Sequence, residues 1–205
     1  VGSLEALAKI ALRKGDVDTG IGYYKMITDQ NPDDLFTLYK LGVAYRESGK
    51  TSKAIATFQQ AIEQEPTFAS AYNELGIALM LAKKNGEALE ALGHAVRLNP
   101  KLHTAFANIG SLLASDGQQQ KAIGYWLRSL DLHLPDAQVW QNLLQALDTP
   151  PETDTGLGPQ GTEFIARAIA EDPVKAANGH YRKAVSHLQK DQQNQANHHF
   201  VQALL

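Results

Sequence analysis

The sequence predicts an all-α fold, a superhelical solenoid of antiparallel helix hairpins with about six repeats, the last two divergent. Three observations carry that expectation. The chain resembles itself at an offset of 34 residues, each unit holds two segments with apolar residues at helical spacing, and glycine or proline falls where those segments end.

The offset aligns Leu7, Leu41, Leu75, Ile109 and Leu143, and also the large apolar Leu4, Leu38, Tyr72, Phe106 and Trp140. Small residues coincide at Ala8, Gly42, Gly76 and Gly110, with Leu144 as the exception. In the second segments Gly20, Ala54, Ala88 and Ala122 align, followed by Tyr24, Phe58, Leu92 and Trp126. The small residues let two antiparallel helices approach closely, while the rings and leucines fill the gaps beside them. One hairpin cannot bury its apolar face alone, so neighbours stack.

The ends of the segments have their own chemistry. Gly15, Gly49 and Gly117 follow the first segments, where a left-handed residue ends a helix cheaply. Lys83 stands in that place in the third unit. Pro32, Pro66 and Pro100 stop the second segments because proline has no N–H to donate, and Asp33 and Asp34 are positioned to cap the helix that follows. The expected units are 1–34, 35–68, 69–102, 103–136 and 137–174, forming a single solenoid.

The register breaks after Trp140. Residues 148–161, "DTPPETDTGLGPQG", are an insertion inside the fifth unit, after which "FIARAIAEDP" resumes the second-segment pattern. Residues 175–205 read as a divergent hairpin through Tyr181, Ala184, Val185, Leu188, Ala196, Phe200 and Ala203.

Composition narrows the function. The formal net charge is −3, so no basic excess favours nucleic acid, and no apolar run approaches the roughly 20 residues of a membrane helix. Cysteine is absent, which removes disulfides, thiolate nucleophiles and cysteine zinc sites. The start, Val1-Gly2-Ser3, suggests a piece of something longer, and the compartment is left unknown.

Two motifs invite chemistry and neither supports it. Gly156, Gly158 and Gly161 spell the dinucleotide fingerprint, but an acidic, proline-broken stretch stands where its preceding strand belongs. His180, His187, His198 and His199 lie on the last hairpin, with no spacing that makes three or four ligands converge. Neither cofactor nor metal is expected, and no serine, histidine and acid arrangement stands out. Trp126, Trp140 and Tyr72 occupy repeat positions that core packing accounts for.

"LYKLGVAYRESGKTSKAIATFQQAIEQEP", residues 38–66, resembles a nearly complete tetratricopeptide repeat, and the likeness extends over the first four units. The resemblance implies a right-handed superhelix whose first helices line a concave groove, with repeat positions 2, 5, 6, 9 and 12 facing a ligand. Those positions are Phe36, Tyr39, Lys40, Val43 and Arg46 in the second unit, and Ser70, Asn73, Glu74, Ile77 and Met80 in the third. They are Thr104, Ala107, Asn108, Ser111 and Ala114 in the fourth, then Gln138, Gln141, Asn142, Gln145 and Asp148 in the fifth.

The groove is therefore expected to change along its length. Phe36, Tyr39, Val43, Ile77 and Met80 make an apolar partner site; Asn73, Asn108, Gln141, Asn142 and Gln145 make a polar one. The family's carboxylate clamp is absent in either frame, since Tyr39, Val43, Glu74, Thr104 and Asn108, or Glu5, Lys9, Lys40, Ser70 and Glu74, stand where it needs lysine, asparagine and arginine. The family's position-6 asparagine ladder is matched by Asn108 and Asn142 but not by Lys40 and Glu74.

The expected function is non-catalytic: a scaffold holding a peptide or helix of a partner protein. The alternatives are a substrate-recognition arm of a larger, glycosyltransferase-like enzyme and a self-assembling structural element. "ELGIALMLAKK", residues 74–84, sharpens the matter, because the core accounts for Leu75, Gly76, Ala78 and Leu79 but not for Ile77, Met80 and Leu81.

Overall fold

The computed structural model describes residues 2–132 and 137–148. The chain divides into two compact units, residues 1–100 and 101–205. The inserted stretch 149–161, the expected second helix of the fifth repeat, the last hairpin and its four histidines lie outside the described residues.

The first unit contains three hairpins. Helices α1 (Gly2–Arg13) and α2 (Val17–Gln30) form the first, α3 (Leu35–Glu47) and α4 (Thr51–Gln64) the second, α5 (Ala69–Leu81) and α6 (Asn85–Leu98) the third. Each helix packs on the next, so α2 touches α3 and α4 touches α5, and the first helices α3 and α5 also meet. In the second unit α7 (His103–Ser115) pairs with α8 (Gln119–Leu132), and α9 (Ala137–Asp148) packs on both. All described secondary structure is helical. First helices start at residues 35, 69, 103 and 137, a spacing of 34 residues.

The turns obey the predicted chemistry. Gly15, Gly49 and Gly117 have φ of 80°, 73° and 76°, and Lys83 takes the same left-handed turn at 59° without glycine's freedom. Asp34 is the cap that forms: its carboxylate accepts from the Thr37 N–H at 3.1 Å and the Thr37 hydroxyl at 2.8 Å. The residue before each stopping proline, Asn31, Glu65 or Asn99, leaves the helical region with φ between −133° and −137°.

The small repeat residues have a sharper role than close helix approach in general. A Cβ added to Gly42 would lie 2.6 Å from the Phe58 ring, one at Gly76 2.6 Å from Leu92, and one at Gly110 2.5 Å from Trp126. Each glycine is therefore the seat of the large residue sixteen positions later, and Phe58, Leu92 and Trp126 are buried on those seats. Trp126 adds a hydrogen bond from Nε1 to the Ala107 carbonyl at 3.2 Å.

The repeat position of Leu7 divides the hairpins. Leu41, Leu75, Ile109 and Leu143 are buried, whereas Leu7 is 43% exposed and Ile10, on the same helix, 48%.

Candidate functional site

Two faces built from the first helices of the repeats are candidates, one in each unit. In the first unit α1, α3 and α5 carry an unforeseen ladder of charges. Lys40 of α3 donates to Glu5 of α1, which also meets Lys9 at 3.0 Å. Arg46 of α3 donates from Nε to Glu74 of α5 at 2.9 Å and reaches Glu47 at 3.5 Å. Lys40 and Glu74 occupy the position where a peptide-binding ladder would need asparagine, and each is held by a neighbouring first helix instead.

Their electrostatics differ with depth. Hydrogen bonds from Lys40 and Lys9 hold the Glu5 carboxyl below the usual glutamate range. Glu74 is more enclosed, with 13% of its side chain exposed, and burial pushes its carboxyl above that range in spite of the Arg46 guanidinium.

The apolar site expected on this face is not one patch. Phe36, 62% exposed, lies at the start of α3 with the Lys40 ammonium 3.8 Å from its ring centroid. Tyr39 turns inward, 5.2 Å from the Phe68 ring and 6.1 Å from Phe58, and burial raises its phenol. Val43, Ile77 and Met80 are half-buried on the later turns of α3 and α5, and Leu81 is 58% exposed. At 1.5 Å of rise per residue, Phe36 and Met80 stand roughly 15 Å apart along parallel first helices. Phe36 and Met80 thus belong to opposite ends of the face. Asn73 also corrects the expectation: it is 5% exposed, enclosed with α5's core side, so its amide is not presented to a ligand.

In the second unit the polar positions converge. Ser111 and Ala114 of α7, Asn142, Gln145 and Ala146 of α9, and Gln119 and Trp126 of α8 line a cleft of about 260 Å³. All seven lining side chains are uncharged. Asn142 accepts from Gln138 Nε2 at 3.0 Å and donates to Ser111 Oγ at a long 3.4 Å, while Ser111 donates to the Ala107 carbonyl at 3.1 Å. A carboxamide both donates and accepts, so Asn142 can exchange its weak bond to Ser111 for one to a ligand. Gln141 is exposed on α9, outside the cleft lining, and Asn108 is half-buried on α7.

The charge ladder was present in the sequence as opposite charges at groove positions of successive units. Which of those charges answer one another is set by how the first helices pack, not by residue type at a groove position. Among the described residues no cluster of three histidine, aspartate or glutamate side chains is placed to hold a metal, and no helix is long and apolar enough to cross a membrane.

Models for the TPR repeat and the tetratricopeptide repeat match residues 42–83 and 69–102. Among solved structures, a MamA protein is 25% identical with a TM-score of 0.67, covering 87% of this chain and 97% of its own. A MamA fragment from Desulfovibrio magneticus RS-1 is 19% identical, TM-score 0.62, covering 98% of this chain and 92% of that one. The first TPR domain of Spaghetti (RPAP3), solved with the HSP90 peptide SRMEEVD, is 20% identical, TM-score 0.53, covering 55% of this chain and 89% of that one. No curated protein matches. With hairpins starting every 34 residues, glycine seats for rings and leucines, and both repeat models on the central hairpins, residues 42–102 are tetratricopeptide repeats, and the rest of the described chain is similar to that family in fold.

Proposed function

We propose that this protein is a non-catalytic binding module that holds an extended segment of a partner protein, with the neutral cleft of the second unit as its principal contact. The observation that carries the reading is the convergence of Ser111, Ala114, Asn142 and Gln145 on one cleft beside Trp126. These side chains come from two helices that packing on α8 holds in place, so little of their freedom is lost on binding. Amides facing a peptide satisfy its backbone, and the absence of charge from the lining selects for an uncharged stretch. The peptide-bound RPAP3 domain supports the reading, since a related fold there holds a peptide.

The test is selection of binders from a displayed peptide library, followed by fluorescence polarisation on wild type and on Asn142→Ala/Gln145→Ala. The double variant should bind roughly tenfold or more weakly, the loss of one or two hydrogen bonds, while its circular dichroism and melting remain those of wild type. Equal affinity of every selected peptide for both proteins would sink the proposal. The half-buried apolar residues Val43, Ile77 and Met80 supply a second, separately testable contact, through Val43→Glu/Met80→Glu.

A second reading, self-association, is favoured by Leu7 and Ile10, which are exposed on α1 where Leu41 and Ala44 are buried on α3. Light scattering of wild type beside Ile10→Glu decides it: a monomeric wild type, or an oligomer indifferent to the charge, removes this reading.

A further inference from the structure

The other side of the first unit holds a cavity that the groove does not use. A cleft of about 440 Å³ opens between α2 and α4 over a floor of Leu38, Leu41 and Tyr45, with Thr57 and Gln60 of α4 as one wall. Its size falls within the range of ligand pockets. Lys25 and Asp29 of α2 stand at its rim, and neither makes an ion pair among the described residues.

The repeat itself indicates what fits there. In the third hairpin the positions of Leu38 and Gln60 are held by Tyr72 and His94, whose rings stack at 5.1 Å and 14°. In the fourth, the positions of Leu38, Thr57 and Gln60 carry Phe106, Tyr125 and Arg128, with the two rings 6.3 Å apart and the guanidinium 5.9 Å from the Phe106 centroid. Both later hairpins thus place aromatic rings, partnered by a ring or a cation, at these positions. The second hairpin has instead an aliphatic residue, a hydroxyl and an amide, and there the cleft is open.

We infer that this cleft binds an aromatic side chain presented by another protein, a tyrosine seated where the second hairpin lacks its own ring. The ring would lie on Leu38 and Leu41 against Tyr45, an aromatic contact of ordinary geometry. Its hydroxyl would meet the polar wall and rim, where Gln60, Lys25 and Asp29 offer donors and acceptors. The site is independent of the first-helix cleft of the second unit.

The experiment is a 15N-NMR titration of the full chain with N-acetyl-tyrosinamide, with N-acetyl-leucinamide and free tyrosine as comparisons. Saturable shifts at the amides of Thr28, Leu41 and Thr57, larger than those caused by the leucine analogue, are expected. Two variants fill the cleft from within: Leu38→Tyr/Gln60→His supplies the two rings of the third hairpin, and Thr57→Tyr supplies one ring of the fourth. Whichever of them keeps the wild-type helical spectrum should lose the shifts. The inference is overturned by the absence of shifts in wild type, by equal shifts with the leucine analogue, or by shifts that persist in a folded filled variant. Tighter binding of free tyrosine than of the blocked form would also overturn it, by making the occupant a small molecule.

Discussion

The first-helix faces of the two units are built on one backbone plan and carry opposite chemistry. In the first unit Glu5, Lys40, Arg46 and Glu74 join neighbouring first helices through ion pairs. In the second the first helices open into a cleft whose lining is uncharged, with a 3.4 Å contact from Asn142 to Ser111 between them. Charges that answer one another across helices are already partnered and costly to redirect, since separating a half-buried pair strands both partners. A long amide bond is easily exchanged. The same scaffold therefore makes a face closed by its own charges in one unit and a face with an open, neutral cleft in the other.

The largest effects should come from the part the units share. Phe58→Ala and Trp126→Ala each remove a buried ring from its glycine seat and should cost about 3–5 kcal/mol in urea unfolding. A much smaller cost for one of them would show that the units do not share the seat as a structural element. Next is Arg46→Ala, which leaves the Glu74 carboxylate without its counter-charge and should cost about 1–3 kcal/mol near neutral pH.

That effect has a pH signature. Burial raises the folded carboxyl of Glu74, so the folded state binds its proton more readily than the unfolded chain does, and stability falls as pH rises through the ordinary glutamate range. Without Arg46 the fall should extend further upward in pH, because the buried carboxyl loses the cation that opposes its desolvation. Glu74→Gln should flatten it, and an unchanged slope in either variant would remove Glu74 as its source. Glu5 has the opposite sign: its depressed carboxyl contributes above the ordinary glutamate range and is lost as pH falls through the lower folded value.

Two smaller effects test the turns. Asp34→Ala removes the cap on Thr37 and should cost about 1 kcal/mol. Lys83→Gly relieves a left-handed residue and should gain up to about 1 kcal/mol in thermal unfolding; a loss would mean that the Lys83 side chain contributes more than the backbone strain costs.

Much of this was legible in the chain. Leu41, Leu75 and Ile109 announced the core, and the lysine at position 83 was identified from the glycines it replaces. Asn73 shows that position 5 is not uniformly exposed, because its burial depends on how closely the surrounding helices pack. Phe36 and Met80 were grouped by chemistry, although the helix rise separates them. Tyr39 was assigned to the groove, and the rings of Phe58 and Phe68 drew it inward.

The sequence by itself determined the helical character, the 34-residue period and the glycines that end the first helices, because these depend on local backbone preference and on a period that recurs along the chain. Tertiary structure alone decided which charges pair, which amides share a cleft and which repeat leaves a cavity open. Those outcomes rest on distances between side chains 28 to 35 residues apart, as in Arg46 with Glu74 and Lys40 with Glu5. A pattern of residue types assigns such side chains to a face, but only packing sets whether they touch.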